Sequence, residues 1–393
     1  GLVRGRLNFR SSQSFEMNSI EILLKLVAFE TISGGSTRAI EAFVKQISES
    51  CADQMVVAPV PGLDQRNLAF RFGPPHPGGV ALSGHMDVVP VAGQDWTHTP
   101  FSLTEVGDRL FGRGSCDMKG FLAAMLASVP QLTGASLKRP IWLLFSCDEE
   151  VGCLGLPYLL DALGPFGSQI EQVIVGEPTE MSVVDRHSGG YVETVVVEGV
   201  AAHSSEPWSG VSAIHHVLDL SNKLLQLARD QQSNVPVEER DVQIDLAQIS
   251  GGTSNNIVAD RAELVWSLRS SSDFDPSDLI KKAHQIYERT DATMKSEFAS
   301  AGISYRKDLE IPPFQACDDS RAVEMCLRLT GETAPEGMKF GTEAGVFKRY
   351  GYDAVVCGPG SISQAHRPDE WISVEQLKKC ERFISDIIGF QSH

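Results

Sequence analysis

The chain has 393 residues, of which 42% are hydrophobic and 22% are charged, so its composition is that of a globular protein. Its length suggests about two or three domains. The 34 lysines and arginines against 51 aspartates and glutamates give a formal net charge of −17, which argues against nucleic acid or an anionic membrane as a partner. No apolar run approaches the roughly 18 residues of a membrane span. The eight cysteines are scattered without a CxxC pair, which is typical of reduced thiols in a cytoplasmic protein.

The first sixteen residues, GLVRGRLNFRSSQSFE, differ from the rest of the chain. They carry Arg4, Arg6 and Arg10, and they precede Met17, after which a helical pattern starts. We expect residues 1–16 to be a tag or an upstream leader that lies outside the fold. An arginine- and serine-rich transit peptide is the alternative.

Helices and strands alternate in the first half of the chain. The spacing of apolar residues predicts, in order, helices 18–26 and 37–50, strands 67–71 and 79–82, helix 121–132, strand 141–145, helix 154–160 and strand 172–175. Ser36 and Thr37 are placed to cap the second helix. This alternation is typical of a three-layer α/β domain with a mostly parallel sheet.

The pattern changes after Glu180. The expected elements are a strand at 191–198, a helix at 211–227, strands at 242–249 and 256–268, and a helix at 276–288 capped by Asp275. This order, followed by one more strand, predicts an α+β sandwich with helices on one face of an antiparallel sheet. From about residue 312 the α/β pattern returns, with elements at 320–330, 354–357 and 374–388. We therefore expect an α/β domain of residues 17–185 and 296–393, interrupted by an inserted domain at 186–295.

Imidazoles and carboxylates follow several of the predicted strands. They are His85 and Asp87, Asp117, Glu149 and Glu150, Glu177, and His366. Open α/β sheets place ligand sites at the carboxyl ends of their strands, and these side chains are the ligands that zinc-class metals prefer. Taken singly, His85 is an ordinary loop histidine and the DEE stretch a solvated turn. Together they predict a divalent-metal site.

Several motifs in this set resemble those of one known family. The motifs are SGHMDVVP (83–90), GRGSCDMKG (112–120), DEEVG (148–152), GEPT (176–179), GVAAHSSEP (199–207) and CGPGSISQAH (357–366). In order, spacing and residue type they resemble the M20 metallopeptidases and deacylases. That family includes acetylornithine deacetylase, succinyl-diaminopimelate desuccinylase, aminoacylase and glutamate carboxypeptidase. The resemblance covers residues 17–393.

The resemblance implies a pair of divalent metal ions. By the family pattern, His85 and Glu177 bind one ion, Glu150 and His366 bind the other, and Asp117 bridges both. Two such ions can activate a water molecule and polarise an amide carbonyl. Zinc is the expected metal and cobalt the alternative, although manganese also accepts ligands of this kind.

The same pattern implies roles for two further carboxylates. Asp87 would contact the far nitrogen of His85, and Glu149 would be the general base that later protonates the leaving amine. Adjacent side chains of an extended chain point to opposite sides, so Glu150 can bind a metal while Glu149 faces the water. A surface glutamate is the alternative for Glu149. Asp148 receives no role and is expected to be solvated or to cap a turn.

The predicted insert carries a second set of residues. His203 resembles the family histidine that reaches the active site of the partner subunit to stabilise an oxyanion, which implies a homodimer. Its alternative is a surface histidine beside two serines. Asn255, Asn256 and Arg269 resemble residues that bind the substrate carboxylate, for which an arginine fork is suited.

The motif KFGTEAGVF (339–347) and the run CGPGSISQAHRPDEWI (357–372) resemble the acetylornithine deacetylase branch. Thr342 is expected to line the pocket, and Glu343 to pair with a cationic substrate or to support the metal ligands. The resemblance thus implies release of acetate from N2-acetyl-L-ornithine, a small N-acyl amino acid, in arginine biosynthesis. Another M20 deacylase or peptidase is the first alternative. An inactive binding member is the second.

Overall fold

A computed structural model of the chain describes residues 17–231 and 241–393. The expectation for residues 1–16 lies outside these ranges. Within them, no helix is both long and apolar enough to cross a lipid bilayer. All eight cysteines fall in the described ranges, and none forms a disulfide.

The helices and strands follow the predicted alternation. The helices are α1 (Ser19–Val27), α2 (Arg38–Ser48), α3 (Gly120–Ala127), α4 (Val129–Gly134), α5 (Leu156–Leu163), α6 (Ala213–Gln231), α7 (Ser277–Glu297), α8 (Arg321–Thr330), α9 (Ala344–Arg349) and α10 (Val374–Gln391). The strands are β1 (Gln54–Pro59), β2 (Arg66–Phe72), β3 (Gly79–His85), β4 (Thr104–Val106), β5 (Arg109–Phe111), β6 (Ile141–Ser146), β7 (Ile170–Val175), β8 (Val184–His187), β9 (Gly189–Glu198), β10 (Val242–Gly251), β11 (Arg261–Ser270), β12 (Gly302–Ile311), β13 (Phe314–Gln315), β14 (Glu336–Met338), β15 (Asp353–Val356) and β16 (Trp371–Ser373). A short π-helical segment, Ser115–Lys119, precedes α3.

A large mixed sheet forms the centre of the α/β part. Its strand order is β1-β2-β6-β3-β7-β15-β8-β13, with β14 beside β8. The central strands β6, β3, β7 and β15 are parallel. The strands on either side, β2 and β8, pair antiparallel with them. The predicted α/β class is confirmed, and the parallel part is the middle of the sheet.

Strand β6 shows why the sheet has helices on both faces. Ile141, Leu143 and Phe145 belong to a core that also contains residues of α1, α3 and α10. The intervening Trp142 and Leu144 belong to a second core, with residues of α5 and α9. Successive side chains of a strand point to opposite faces, so a continuous apolar run can be buried on both sides. The result is the predicted three-layer arrangement.

A separate antiparallel sheet forms the inserted part, in the order β10-β11-β9-β12. Its core joins Trp266 and Leu268 of β11 to Leu220 and Leu224 of α6. The insert was predicted to end at residue 295. In the structure it also includes β12, which pairs with β9 in this sheet. The predicted strand at 256–268 begins only at Arg261, because residues 252–260 form a loop.

Some local predictions differ from the structure. The helix predicted at 121–132 is two helices, α3 and α4, and Pro130 lies in the first turn of the second. Thr37 does not cap α2 with its side chain, and its hydroxyl instead accepts the backbone N–H of Arg66. The Ser36 hydroxyl accepts the N–H of Arg38, the first residue of α2, so only Ser36 of the two predicted capping residues contacts the start of the helix.

A buried carboxylate lies within the insert. Glu193 of β9 is 0% exposed and accepts hydrogen bonds from the hydroxyls of Tyr191 (2.6 Å) and Tyr287 (3.0 Å) and from the indole N–H of Trp266 (3.3 Å). His284 Nε2 lies 2.8 Å from the same carboxylate. These contacts join β9, β11 and α7. Because a buried charge is tolerated only when it is well partnered, Glu193 is a strong constraint on this packing.

We expect Glu193→Gln to lower the free energy of unfolding by about 3 kcal/mol, because an amide cannot accept all the hydrogen bonds that converge on the carboxylate. Urea unfolding followed by tryptophan fluorescence measures the change. Glu198→Gln is the matched control, since Glu198 lies on the same strand with a side chain that is 65% exposed. Its effect should stay within about 0.5 kcal/mol. Equal losses in the two variants would contradict this view of Glu193.

Candidate metal centre

The predicted metal ligands lie at one edge of the large sheet. His85 ends β3, Glu149 and Glu150 follow β6, and Glu177 follows β7. Asp117 lies in the π-helical segment before α3, and His366 lies beyond β15. Because β3, β6, β7 and β15 are parallel, their carboxyl ends share this edge.

His85 lies within a short distance of three carboxylates. Its Nε2 is 3.2 Å from Asp117 Oδ1, 3.6 Å from Glu177 Oε1 and 3.9 Å from Glu149 Oε2. All four residues are buried. The donor atoms of His85, Glu149 and Glu177 lie within 4.8 Å of one another, a separation that one cation can span.

His366 approaches the cluster from the other side. Its Nε2 is 3.2 Å from Asp117 Oδ2 and 2.9 Å from Glu150 Oε2. The Glu150 side chain is 6% exposed, whereas that of His366 is 55% exposed. Asp117 therefore presents one oxygen to each histidine, which is the placement of a carboxylate that bridges two ions.

The charges of this cluster favour a cation. Burial raises the pKa of both Glu149 and Glu177 well above the ordinary value, and nearby carboxylates raise it further. Burial and the charge of Asp117 raise the pKa of Glu150 to about 7. Glu177 Oε1 and Glu150 Oε1 are buried and have no hydrogen-bond partner among the described residues. Divalent cations would pair these acceptors and relieve the repulsion, so the donor set fits such ions.

Asp87 lies beside the far nitrogen of His85 and has further partners as well. The acceptor closest to His85 Nδ1 is the backbone carbonyl of Asp87, at 2.9 Å, while the Asp87 carboxylate is 3.5 Å away. That carboxylate accepts hydrogen bonds from the Ser33 hydroxyl (2.6 Å) and from the backbone N–H groups of Glu149 (3.1 Å) and Glu150 (3.2 Å). Asp87 thus holds the backbone that carries both glutamates.

Asp148 is not solvated, but it caps a turn, which was the other expected role. It is 2% exposed, and its Oδ1 accepts the Gly34 N–H at 2.7 Å and the Gln65 amide at 2.8 Å. It therefore joins the loop after α1 to the end of β6. Nothing in the sequence distinguishes Asp148 from Glu149 and Glu150. Its contacts with Gly34 and Gln65 distinguish it in the structure.

The site residues predicted in the insert lie in two separate places. The loops of His203 and Asn256 are joined by the Ser204 N–H, which donates to the Asn256 carbonyl at 3.0 Å, and Asn255 lies in the same loop as Asn256. Arg269 lies at the opposite end of β11, since Arg261 pairs with Glu198 and Arg269 with Gly190. The eight residue steps along the strand separate these ends by about 27 Å.

Thr342 and Glu343 do not line an open pocket. Thr342 is 0% exposed, and its hydroxyl accepts the N–H of Ala344, the first residue of α9, at 3.1 Å. Glu343 is 1% exposed, and burial raises its pKa to about 7. Because the Glu343 side chain is buried, it cannot form a direct ion pair with a substrate in this structure. Its position near His85 and Asp87 fits the other expected role, support of the metal ligands.

Glu370 is a buried residue that the predicted site omits. It is 1% exposed, and its two oxygens accept the backbone N–H groups of Gly114, Cys116 and Asp117. In the sequence it appears only as one acid in HRPDEW. The signal that identifies it is its contact with a loop some 250 residues away, so only the fold reveals it.

Comparison with known sequences agrees with this geometry. The pattern of peptidase family M20/M25/M40 matches residues 81–389. Acetylornithine deacetylase of Pectobacterium carotovorum is 31% identical over 347 residues, which cover 86% of each chain. Acetylornithine deacetylase of Salmonella arizonae is 30% identical over 385 residues, which cover 94% of this chain and 96% of its own.

Solved structures show the same fold. An M20 family metallo-carboxypeptidase of Sulfolobus solfataricus matches with a TM-score of 0.73 at 18% identity, covering 96% of this chain and 99% of its own. A tripeptidase of Staphylococcus aureus matches with a TM-score of 0.70 at 19% identity, covering 96% and 98%. A dinuclear metal-binding M20 peptidase of Bacillus subtilis matches with a TM-score of 0.60 at 15% identity, covering 95% and 98%. From its sequence match and its fold, the chain belongs to peptidase family M20/M25/M40.

Proposed function

We propose that this chain is a dinuclear metal-dependent amide hydrolase that converts N2-acetyl-L-ornithine to ornithine and acetate, a step of arginine biosynthesis. The observation that carries the hydrolase part is the position of Asp117 between two imidazole–carboxylate groups. The substrate is supported by the acetylornithine deacetylases that match most of the chain. The scattered free cysteines support a cytoplasmic location.

In this proposal, His85 and Glu177 hold one ion, Glu150 and His366 hold the other, and Asp117 holds both. The two ions, zinc or alternatively cobalt, would supply Lewis acidity for the amide carbonyl and lower the pKa of a water molecule. The Bacillus subtilis relative is a dinuclear metal-binding peptidase, which supports the number of ions.

Glu149 is the proposed proton carrier. Its Oε2 lies 3.9 Å from His85 Nε2, and its Oε1 accepts a weak hydrogen bond from the Cys153 thiol. A carboxyl in this position can take a proton from the attacking water and retain it until the amine leaves. Asp87 keeps Glu149 in place through the backbone N–H. The side chain thus needs no large movement between the two proton transfers.

Arg269 is the proposed contact for the substrate carboxylate. Its guanidinium has no hydrogen bond or ion pair with any residue in 17–231 or 241–393, and it lies at the end of the insert that joins the α/β part, where β11 pairs with the start of β9. A guanidinium fork binds a carboxylate with two hydrogen bonds. An N-acyl amino acid offers that carboxylate next to the scissile amide.

The distance between Arg269 and the His203 loop supports a homodimer. One small substrate cannot contact both ends of a strand that are about 27 Å apart. We therefore propose that His203, Asn255 and Asn256 complete the site of the partner subunit, while Arg269 serves its own. In the structure, His203 is exposed and its Nδ1 lies 2.7 Å from the Ser205 hydroxyl, so its other nitrogen is available.

The substrate assignment predicts a preference among N-acyl amino acids. With zinc or cobalt added, kcat/KM for N2-acetyl-L-ornithine should exceed that for N-acetylmethionine and N-succinyl-diaminopimelate by about tenfold or more, since one well-matched polar group is worth at least that factor. Release of free amine measures the rates. Comparable values would remove the acetylornithine assignment and keep the amide hydrolase. Bound metal without hydrolysis of any of the three would favour an inactive binding protein.

For Glu149→Gln, we expect kcat to fall by about 10²–10⁴-fold, the usual contribution of general acid–base catalysis, with both metal ions retained. Steady-state kinetics and metal analysis of the purified variant give the two quantities. Glu105→Gln is a control, because Glu105 is exposed on β4. Loss of one metal equivalent from Glu149→Gln would instead make Glu149 a ligand.

The dimer proposal predicts complementation between two inactive variants. If His203 serves the partner's site, a heterodimer of Glu149→Gln and His203→Ala contains one site with both residues intact. Subunits mixed equally under dissociating conditions and reassembled should recover about a quarter of wild-type activity, because half of the dimers are mixed and each has one working site. Each variant treated alone is the control. No recovery from a mixture that does contain heterodimers would place His203 in its own subunit's site.

A further inference from the structure

Glu370 is a buried carboxylate that lies beside the metal cluster without belonging to it. Its Oε1 accepts the backbone N–H groups of Cys116 and Asp117, each at 2.9 Å. Its Oε2 accepts the Gly114 N–H at 3.0 Å and Arg113 Nη1 at 2.8 Å. Glu370 and Arg113 are each 1% exposed. Both oxygens are therefore fully used in holding the segment that carries Asp117.

Arg113 extends these contacts to the loop that carries His366. Its Nη1 also donates to the Arg367 carbonyl at 3.2 Å, and its Nη2 donates to the side-chain carbonyl of Gln94. The amide nitrogen of Gln94 in turn donates to the His366 carbonyl at 2.8 Å. The three side chains Gln94, Arg113 and Glu370, which we call the latch, thus connect the segment of Asp117 with that of His366.

The His366 loop requires such contacts. His366 has a φ of 62° and Asp369 a φ of 54°, both in the left-handed region that costs a non-glycine residue about 1 kcal/mol or more. Asp369 is held by the backbone N–H groups of Thr97 (2.9 Å) and His98 (3.0 Å). On its other side, the loop is held by the latch. These contacts hold the His366 backbone, and with it the imidazole, in this conformation.

We propose that Glu370 is a positioning residue, which acts through the latch to place Asp117 and His366 together and so sets the affinity for the ion that these two share with Glu150. The inference rests on the dinuclear centre of the proposed function. The N–H that Glu370 fixes belongs to Asp117 itself, and the Asp117 carboxylate lies 3.2 Å from His366 Nε2. The ion of His85 and Glu177 depends on the latch through Asp117 alone, so it should be affected less.

Glu370→Gln tests the proposal with little change in volume. Each carboxylate oxygen of Glu370 accepts two N–H groups. In either orientation of the glutamine amide, its NH₂ group would therefore face two donors. Metal-free protein is titrated with Co²⁺, and the binding isotherm and the visible absorption of each equivalent are recorded. We expect one equivalent to bind about 10–100-fold more weakly than in the wild type, with an altered spectrum, and the other to change less. Glu105→Gln, on the exposed strand β4, should match the wild type.

Gln94→Ala is a second variant that leaves Glu370 and its backbone contacts in place. It removes the hydrogen bonds that Gln94 makes to His366 and Arg113, and it should weaken the same equivalent of Co²⁺ by a smaller factor. This variant decides the question if Glu370→Gln fails to fold.

Where the wild type binds both ions, two results would overturn the proposal. One is wild-type affinity and spectrum for both equivalents, even if the thermal midpoint of unfolding falls. The other is an equal loss for both ions. A wild-type protein that binds fewer than two ions would remove the dinuclear function and this inference together. Two tightly bound ions without hydrolysis of acetylornithine would remove only the substrate assignment.

Discussion

The concentration of buried carboxylates at one edge of the sheet is the constraint on which the rest of the site depends. Asp117, Glu149 and Glu177 are each at most 6% exposed, and burial raises the pKa of both glutamates. Such a cluster is stable either protonated or beside cations. With two imidazoles placed on either side of Asp117, the second option makes the cluster a candidate binding site for metal ions. The parallel strands β3, β6 and β7 supply the shared edge.

A second group of buried carboxylates holds the loops that carry these ligands. Asp87 accepts the N–H groups of both metal-site glutamates, and Asp148 accepts the N–H of Gly34. Glu370 does the same for the segment of Asp117. Carboxylates are well suited to this task because one group can accept several backbone donors in a small volume. The precision of the metal cluster thus comes from acids outside the proposed set of ligands.

The insert has a different part in the molecule. Its sheet separates Arg269 from the loops of His203 and Asn256 by most of a strand's length. Its internal packing is organised around Glu193, which belongs to a different sheet from the strands that carry the proposed metal ligands. An insert of this kind can present one end to its own cleft and the other to a neighbouring subunit. That division is the physical basis of the proposed dimer.

The sequence by itself determined the α/β class, the insert and the residues that meet at the candidate metal centre, because apolar periodicity and the position of polar residues after strands are local signals. It missed β1 and the short strands β4, β5, β8, β13, β14 and β16, and the short strands have too few residues for a period to appear. The tertiary structure alone decided the contacts of Asp87, the burial of Thr342, the distance of Arg269 from Asn256, and the contacts of Glu370. Each of these depends on which distant backbone groups meet a side chain, and no local pattern carries that information.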